Sequence, residues 1–252
     1  MKALARHLIV LVATLAALTA TPSRAADLSH YEPIGFSPEG SLFAFEEWGV
    51  EDGSGAPYVN LYVIETATDR FVSGTPIRLG GGEPGDLSAL EERRQLFALR
   101  AQAHSRLQTV LGPVAWRRGR LLAFSPVTDL TRYGRSLIVN PLPIARPVGP
   151  PLSLELETLT DLPGGENCPD FAGPVSGFRL TLDEGSGPRT IHEDERVPAS
   201  RGCPVDYRLA GVEAFLADGG TTVAVLIQRL SPGFEGLDGR WMAVTLPVSR
   251  SR

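Results

Sequence analysis

Leu152-Ser153-Leu154-Glu155-Leu156-Glu157 alternates apolar and polar side chains without a break. A period of two is the signature of a strand with one face in a core and the other in water. Phe178, Leu180 and Leu182 repeat the pattern downstream. Working outward, Tyr207 to Phe215, Thr221 to Gln228 and Trp241 to Leu246 read as a C-terminal set of strands. Upstream, Ser41 to Phe45, Asn60 to Ile64, Gly119 to Phe124 and Leu137 to Val139 read as an N-terminal set. Turn clusters such as Asp183-Glu184-Gly185-Ser186-Gly187 and Asp218-Gly219-Gly220 separate them. The sequence therefore predicts a mainly β protein of antiparallel hairpins or meanders, arranged as a sandwich or as part of a propeller, with one inserted amphipathic helix.

That helix follows a glycine-rich hinge at 80–85. Ser88-Ala89-Leu90-Glu91 reads as a capping box and Gly112-Pro113 as a stop, so the helix spans about 88–111. Leu90, Phe97, Ala101 and Leu111 are expected on its apolar side, with His104 packed among them and the arginines on a solvated side. Prolines 141, 143, 147, 150 and 151 mark a seam over 141–151 inside a single exported domain, 26–252.

The start of the chain has a different character. Lys2, Arg6 and His7 precede an apolar run from Leu8 to Ala20, and Ser23-Arg24-Ala25 sets small residues at the −3 and −1 places. These are the three zones of a secretory signal peptide, residues 1–25, cut after Ala25. The run is short for a spanning helix, which needs roughly 20 apolar residues, and no later segment has that length and apolarity. After cleavage the chain carries 21 basic and 29 acidic residues, a net charge of −8. That balance disfavours nucleic acid and anionic membrane surfaces as partners. Lys2 is the only lysine, so Schiff-base, P-loop and Ser–Lys chemistry are excluded from the exported part. Cys168 and Cys203 form an even pair in a protein bound for an oxidising compartment and read as a disulfide.

Candidate chemistry is sparse. Glu46, Glu47, Glu51 and Asp52, followed by Gly53-Ser54-Gly55, place four carboxylates near a bendable loop. Calcium seeks such hard oxygen ligands, although the spacing is not that of an EF-hand, and a solvated hairpin turn explains the same cluster. His192-Glu193-Asp194-Glu195 sets a histidine beside three acids, but His192 and Glu193 face opposite ways on a strand. No GxSxG elbow occurs. Trp48, Tyr58 and Phe234 sit near glycines as candidate partner-binding aromatics, or else as core residues.

Two likenesses add to this reading. Gly35-Phe36-Ser37-Pro38-Glu39-Gly40-Ser41-Leu42-Phe43-Ala44-Phe45, then Asn60-Leu61-Tyr62-Val63-Ile64-Glu65-Thr66 and Asp69-Arg70-Phe71-Val72, look like one blade of the WD40-like propellers of periplasmic TolB-type proteins. The chain from residue 26 onward resembles a bacterial family of predicted secreted proteins, a domain of unknown function. Gly35-Phe36-Ser37-Pro38, the stretch from Phe45 to Gly55, Arg201-Gly202-Cys203-Pro204 with Tyr207, and Ser231-Pro232-Gly233-Phe234-Glu235-Gly236 carry that resemblance. It implies export and a shared fold, and no activity. The expectation is a non-catalytic binding or interaction module of the envelope or secretome, periplasmic or secreted, taking an envelope protein or a small ligand. The alternatives are a metal-dependent or carboxylate-based hydrolase using Glu46, Glu47, Glu51, Asp52 or His192, and a calcium-stabilised binding protein.

Overall fold

A computed structural model of the chain describes residues 27–51, 53–80, 87–125, 134–140, 151–217, 220–233 and 236–248. The signal-peptide segment, Asp52, Phe234 and most of the glycine hinge and proline seam lie outside the described residues.

Three antiparallel sheets stack face to face. The N-terminal sheet holds β1 (His30–Phe36), β2 (Leu42–Val50) and β3 (Pro57–Glu65) in order, with β4 (Arg70–Phe71) and β5 (Ile77–Gly80) sharing the far edge of β3. The outer sheet is β7 (Ser136–Val139), β8 (Leu152–Leu159), β9 (Gly177–Asp183) and β10 (Pro188–Glu193). The central sheet pairs β11 (Asp206–Ala217), β12 (Gly220–Pro232) and β13 (Leu237–Val248), and β6 (Arg120–Phe124) joins the free side of β11.

Side-chain alternation decides the layering. On β12, Val223, Val225 and Ile227 point at Leu154, Leu156, Phe178 and Leu180 of the outer sheet. Their neighbours Ala224 and Leu226 point the other way, at Phe36, Phe43, Phe45 and Tyr62 of the N-terminal sheet. The central sheet is thus buried on both faces, which is why its strands read as near-continuous apolar runs rather than clean alternations. The remaining face of the N-terminal sheet carries Ala44, Val59, Leu61, Val63, Ile77 and Leu79 and is closed by the helix α1 (Ala89–Leu111). The result is four layers, three sheets and a helix. It is a stacked sandwich, with no closed ring of blades among the described residues.

The helix begins where the capping chemistry places it, since Ser88 Oγ accepts the Glu91 N–H. Gly112 ends it with φ of 72°. Its packed face differs from the expected one. Ala103 and Leu107 are buried, flanked by Leu99 and Leu111, whereas Phe97 is 76% exposed and Leu90 60%. Ala101 is exposed as well. The stripe through residues 99, 103 and 107 keeps the i, i+4 spacing of a packed helix face. At 3.6 residues per turn it lies about 140°, well over a third of a turn, from the stripe through residues 90, 97 and 101. Because the helix has few strongly apolar residues on either side, periodicity alone selected the wrong one.

Cys168 and Cys203 are joined in a disulfide. It ties the Asp170–Ala172 turn to the Ala199–Arg201 turn, and closing a loop of this length contributes about 4 kcal/mol in the chain-entropy model.

Candidate functional site

Adjacent residues on a strand face opposite ways, and β2 applies that rule to its two central acids. Glu46 faces α1 and Glu47 faces the central sheet, and both are essentially inaccessible to water. They therefore cannot share an ion. Glu51 is exposed and accepts from Ser54 Oγ at 3.1 Å, so the acidic stretch does not converge as a ligand set among the described residues. No group of three or more His, Cys, Asp or Glu side chains is placed to hold a metal among those residues.

Glu47 is a structural hub. Its Oε1 accepts from Tyr62 Oη at 2.7 Å and Asn60 Nδ2 at 3.0 Å, and its Oε2 from the Trp241 backbone N–H at 2.6 Å and Ser29 Oγ at 2.9 Å. Four donors from two sheets and the entering strand meet on one carboxylate. Burial, together with the charge of Glu47 and the hydrogen bond to it, holds the Tyr62 hydroxyl protonated far above its ordinary range.

Glu46 has a different setting. Arg100 donates through Nε and Nη2 to its Oε1. The other oxygen has no aligned donor, and its nearest neighbour is His104 Nε2, 3.3 Å away. Burial alone would raise the Glu46 pKa, but His104 and Arg100 outweigh it and hold the carboxyl below its usual range. Arg100 and His104 stand one helical turn apart, so a single helix face brings both to the carboxylate. The Arg100 guanidinium also lies 3.9 Å over the Trp48 ring, and His30 stacks on that ring at 5.5 Å. Trp48 is therefore half-buried within this cluster. Tyr58 is 6% exposed, donates to Asp27 Oδ1 at 3.1 Å and lies under Arg240, which removes it from the accessible surface.

Two concavities flank α1 beside this cluster. A pocket of about 170 Å³ lies between the end of the helix and the segment returning to β1, with His104, Leu107 and Trp116 among its walls. A wider, open groove of about 510 Å³ runs between α1 and the Gly74–Arg78 stretch, with Arg106, Thr109 and Val110 on its helix side. Arg78 alternates with Ile77 and Leu79 and pairs with Asn60, so its side chain leaves β5 on the face away from the helix.

The remaining polar clusters hold layers together. Asp194 accepts from Arg201 Nη1, from the Phe178 N–H at 2.9 Å and from His192 Nε2 at 3.1 Å. Burial would raise its pKa, but these bonds and the Arg201 charge bring it down to about 2. His192 stacks on Phe178 at 4.4 Å, while Glu193 turns outward to Arg179 at 2.7 Å. The two do face opposite ways. Glu213 is 2% exposed and accepts from Tyr31 Oη at 2.8 Å, and burial raises its pKa.

Sequence reading missed Arg100, which it assigned to the solvated side of the helix, and missed Glu213 and Asp194 as buried acids. One signal was available for Glu46 and Glu47. Both interrupt an apolar stretch, Phe43 to Trp48, of a strand covered on both faces, where a charge needs a partner.

Neither a curated protein nor a solved structure matches this chain. The family model described as "Predicted secreted protein (DUF2259)" matches residues 44–247, a span that includes most of β2 with its two acids, all of α1 and the disulfide. The chain belongs to that family of predicted secreted proteins.

Proposed function

We propose that the protein is exported and binds a small ligand, without catalysis, where α1 meets the N-terminal sheet. The observation that carries this reading is the pair of concavities on either side of α1, beside charges already neutralised among themselves. A hollow lined by apolar side chains with a few polar groups is the usual form of a small-molecule site. Export rests on residues 1–25 as a signal peptide cut after Ala25, and both the family description and the disulfide support it. A thermal-shift screen of small molecules on the protein beginning at Ala26 tests the binding reading, because a ligand of the native state must raise Tm. If no compound of any class raises Tm at millimolar concentration, the reading falls.

One observation favours a hydrolase instead. Glu46 behind His104 resembles the orienting carboxylate and base of a hydrolytic site. Against it, no hydroxyl or thiol hydrogen-bonds to His104 among the described residues. Turnover of activated esters that disappears in His104→Ala would favour this second reading.

A further inference from the structure

The net charge of −8 in the exported part is unevenly spread. From Arg93 to Arg120 the chain holds seven arginines and not one Asp or Glu, whereas the rest of the exported part carries 14 basic and 29 acidic residues. This basic stretch is most of α1, whose acids Glu91 and Glu92 stand in its first turn, and the segment that returns to β1. The helix is the outermost layer on its side of the stack. Arg100 is held against Glu46, and the other six arginines are exposed. Arg94 has Glu91 at 3.9 Å and Arg118 has Glu32 at 2.8 Å. Arg93, Arg106, Arg117 and Arg120 make no ion pair among the described residues.

The outward side of the helix is also apolar. Leu90, Arg94, Phe97 and Ala101 recur at i, i+4, i+7 and i+11, which makes a single stripe. All four are exposed, and Phe97 is 76% so. The stripe lies about 140° from the packed residues 99, 103 and 107, so it looks away from the sheet. Arg93 and Arg94 both stand within one turn of the phenyl ring.

An exposed apolar stripe flanked by cations complements a surface that offers anions above hydrocarbon. A bilayer containing anionic lipid is such a surface. Its headgroup phosphates take the guanidinium groups, and the ring sinks to the acyl boundary. A polyanion such as nucleic acid would use the arginines and leave Phe97 and Leu90 in water. The acids of the central and outer sheets do not oppose this contact. Sheets stack about 10 Å apart, and physiological salt screens charges beyond about 8 Å.

We propose that the outward face of α1 docks the exported protein on an anionic lipid bilayer, with Phe97 and Leu90 entering the interface and Arg93 and Arg94 on the headgroups. This does not depend on the small-ligand reading above. The test is flotation of the protein beginning at Ala26 with vesicles of phosphatidylethanolamine and phosphatidylglycerol in equal parts, against vesicles of phosphatidylcholine alone. The protein should float with the first and not with the second, and added salt should weaken the association. Arg93→Ala and Arg94→Ala should each weaken it about fivefold, and Phe97→Glu about tenfold or more, with circular dichroism confirming the fold. Should a variant not fold, the lipid and salt dependence of the unmodified protein still decides. The proposal is overturned if the anionic vesicles carry no protein, if phosphatidylcholine vesicles carry as much, or if Phe97→Glu floats like the unmodified protein. Retention on duplex DNA without flotation would assign the arginines to a polyanion and overturn it as well.

Discussion

Removing the Glu47 carboxylate tests whether this acid is structural or functional, because the two roles predict different losses. Glu47→Ala leaves the Tyr62 hydroxyl, the Asn60 amide and the Trp241 N–H without their acceptor, while the Ser29 hydroxyl still reaches Gly239 O at 2.9 Å. Each unsatisfied buried donor costs about 1–3 kcal/mol. Water entering the vacated space limits the sum, and taking the low end for the three stranded donors gives about 3 kcal/mol. For a domain of this size each kcal/mol moves Tm by about 2–4 °C, so the variant should melt about 6–12 °C lower. Glu47→Gln should be far milder. The Trp241 N–H cannot turn, so the amide oxygen belongs on its side, beside Ser29. The amide NH₂ then meets Tyr62 Oη and Asn60, and both of those groups can present an acceptor. A cost of about 1 kcal/mol is expected. Urea denaturation of both variants, with m-values confirming an unchanged unfolding unit, measures this directly. A loss below about 1 kcal/mol for Glu47→Ala, or equal losses for the two variants, would refute the hub argument.

Three further outcomes follow from the geometry. Leu107→Ala should cost about 2–5 kcal/mol, whereas Phe97→Glu, on the exposed side of α1, should stay within about 0.5 kcal/mol; the reverse ranking in chemical denaturation would restore the helix face expected from sequence. Asp194 has a folded-state pKa near 2 against an ordinary 3.8. Its contribution of about 2 kcal/mol is present above pH 4 and is lost as pH falls through 2. Glu213 is shifted upward by burial, so its ionisation destabilises the fold as pH rises through the raised value. Asp194→Asn should flatten the acid limb of the stability profile, and Glu213→Gln should gain stability at pH 7 but not in acid. Profiles parallel to the unmodified protein would contradict both assignments. Calcium added after a chelator should leave Tm unchanged, because Glu46 and Glu47 face different layers and already have partners; a clear rise lost in Glu51→Gln would make the acidic turn an ion site.

How much of this was legible depended on whether local pattern or distant partners decided each feature. The half-buried strands β8 and β9 were legible because one wet face preserves the alternation Leu152, Leu154, Leu156 and Phe178, Leu180, Leu182. The helix ends were legible because Ser88 and Gly112 act within one turn of themselves. The stacking of a third sheet was not, since burial of β11 and β12 on both faces erases alternation and says nothing of which layer lies on which side. The helix face failed for a related reason. α1 closes the sheet through Ala103 and Leu107, with Leu99 and Leu111 beside them, plus an ion pair, so its strongest apolar residue, Phe97, is not where the packing is. Trp48 and Tyr58 show the same limit. Near glycines in sequence, they are covered by Arg100, His30, Arg240 and Asp27 from elsewhere in the chain. The one cue that local reading held and did not use is the charge inside an apolar strand. Glu46 and Glu47 in the middle of β2 demanded partners on both sides of the N-terminal sheet. Those partners, Arg100 and His104 on one side and Trp241 and Ser29 on the other, bind the helix and the central sheet to it. Two adjacent acids, which local sequence reads as a solvated hairpin turn or a calcium loop, fasten three of the four layers together.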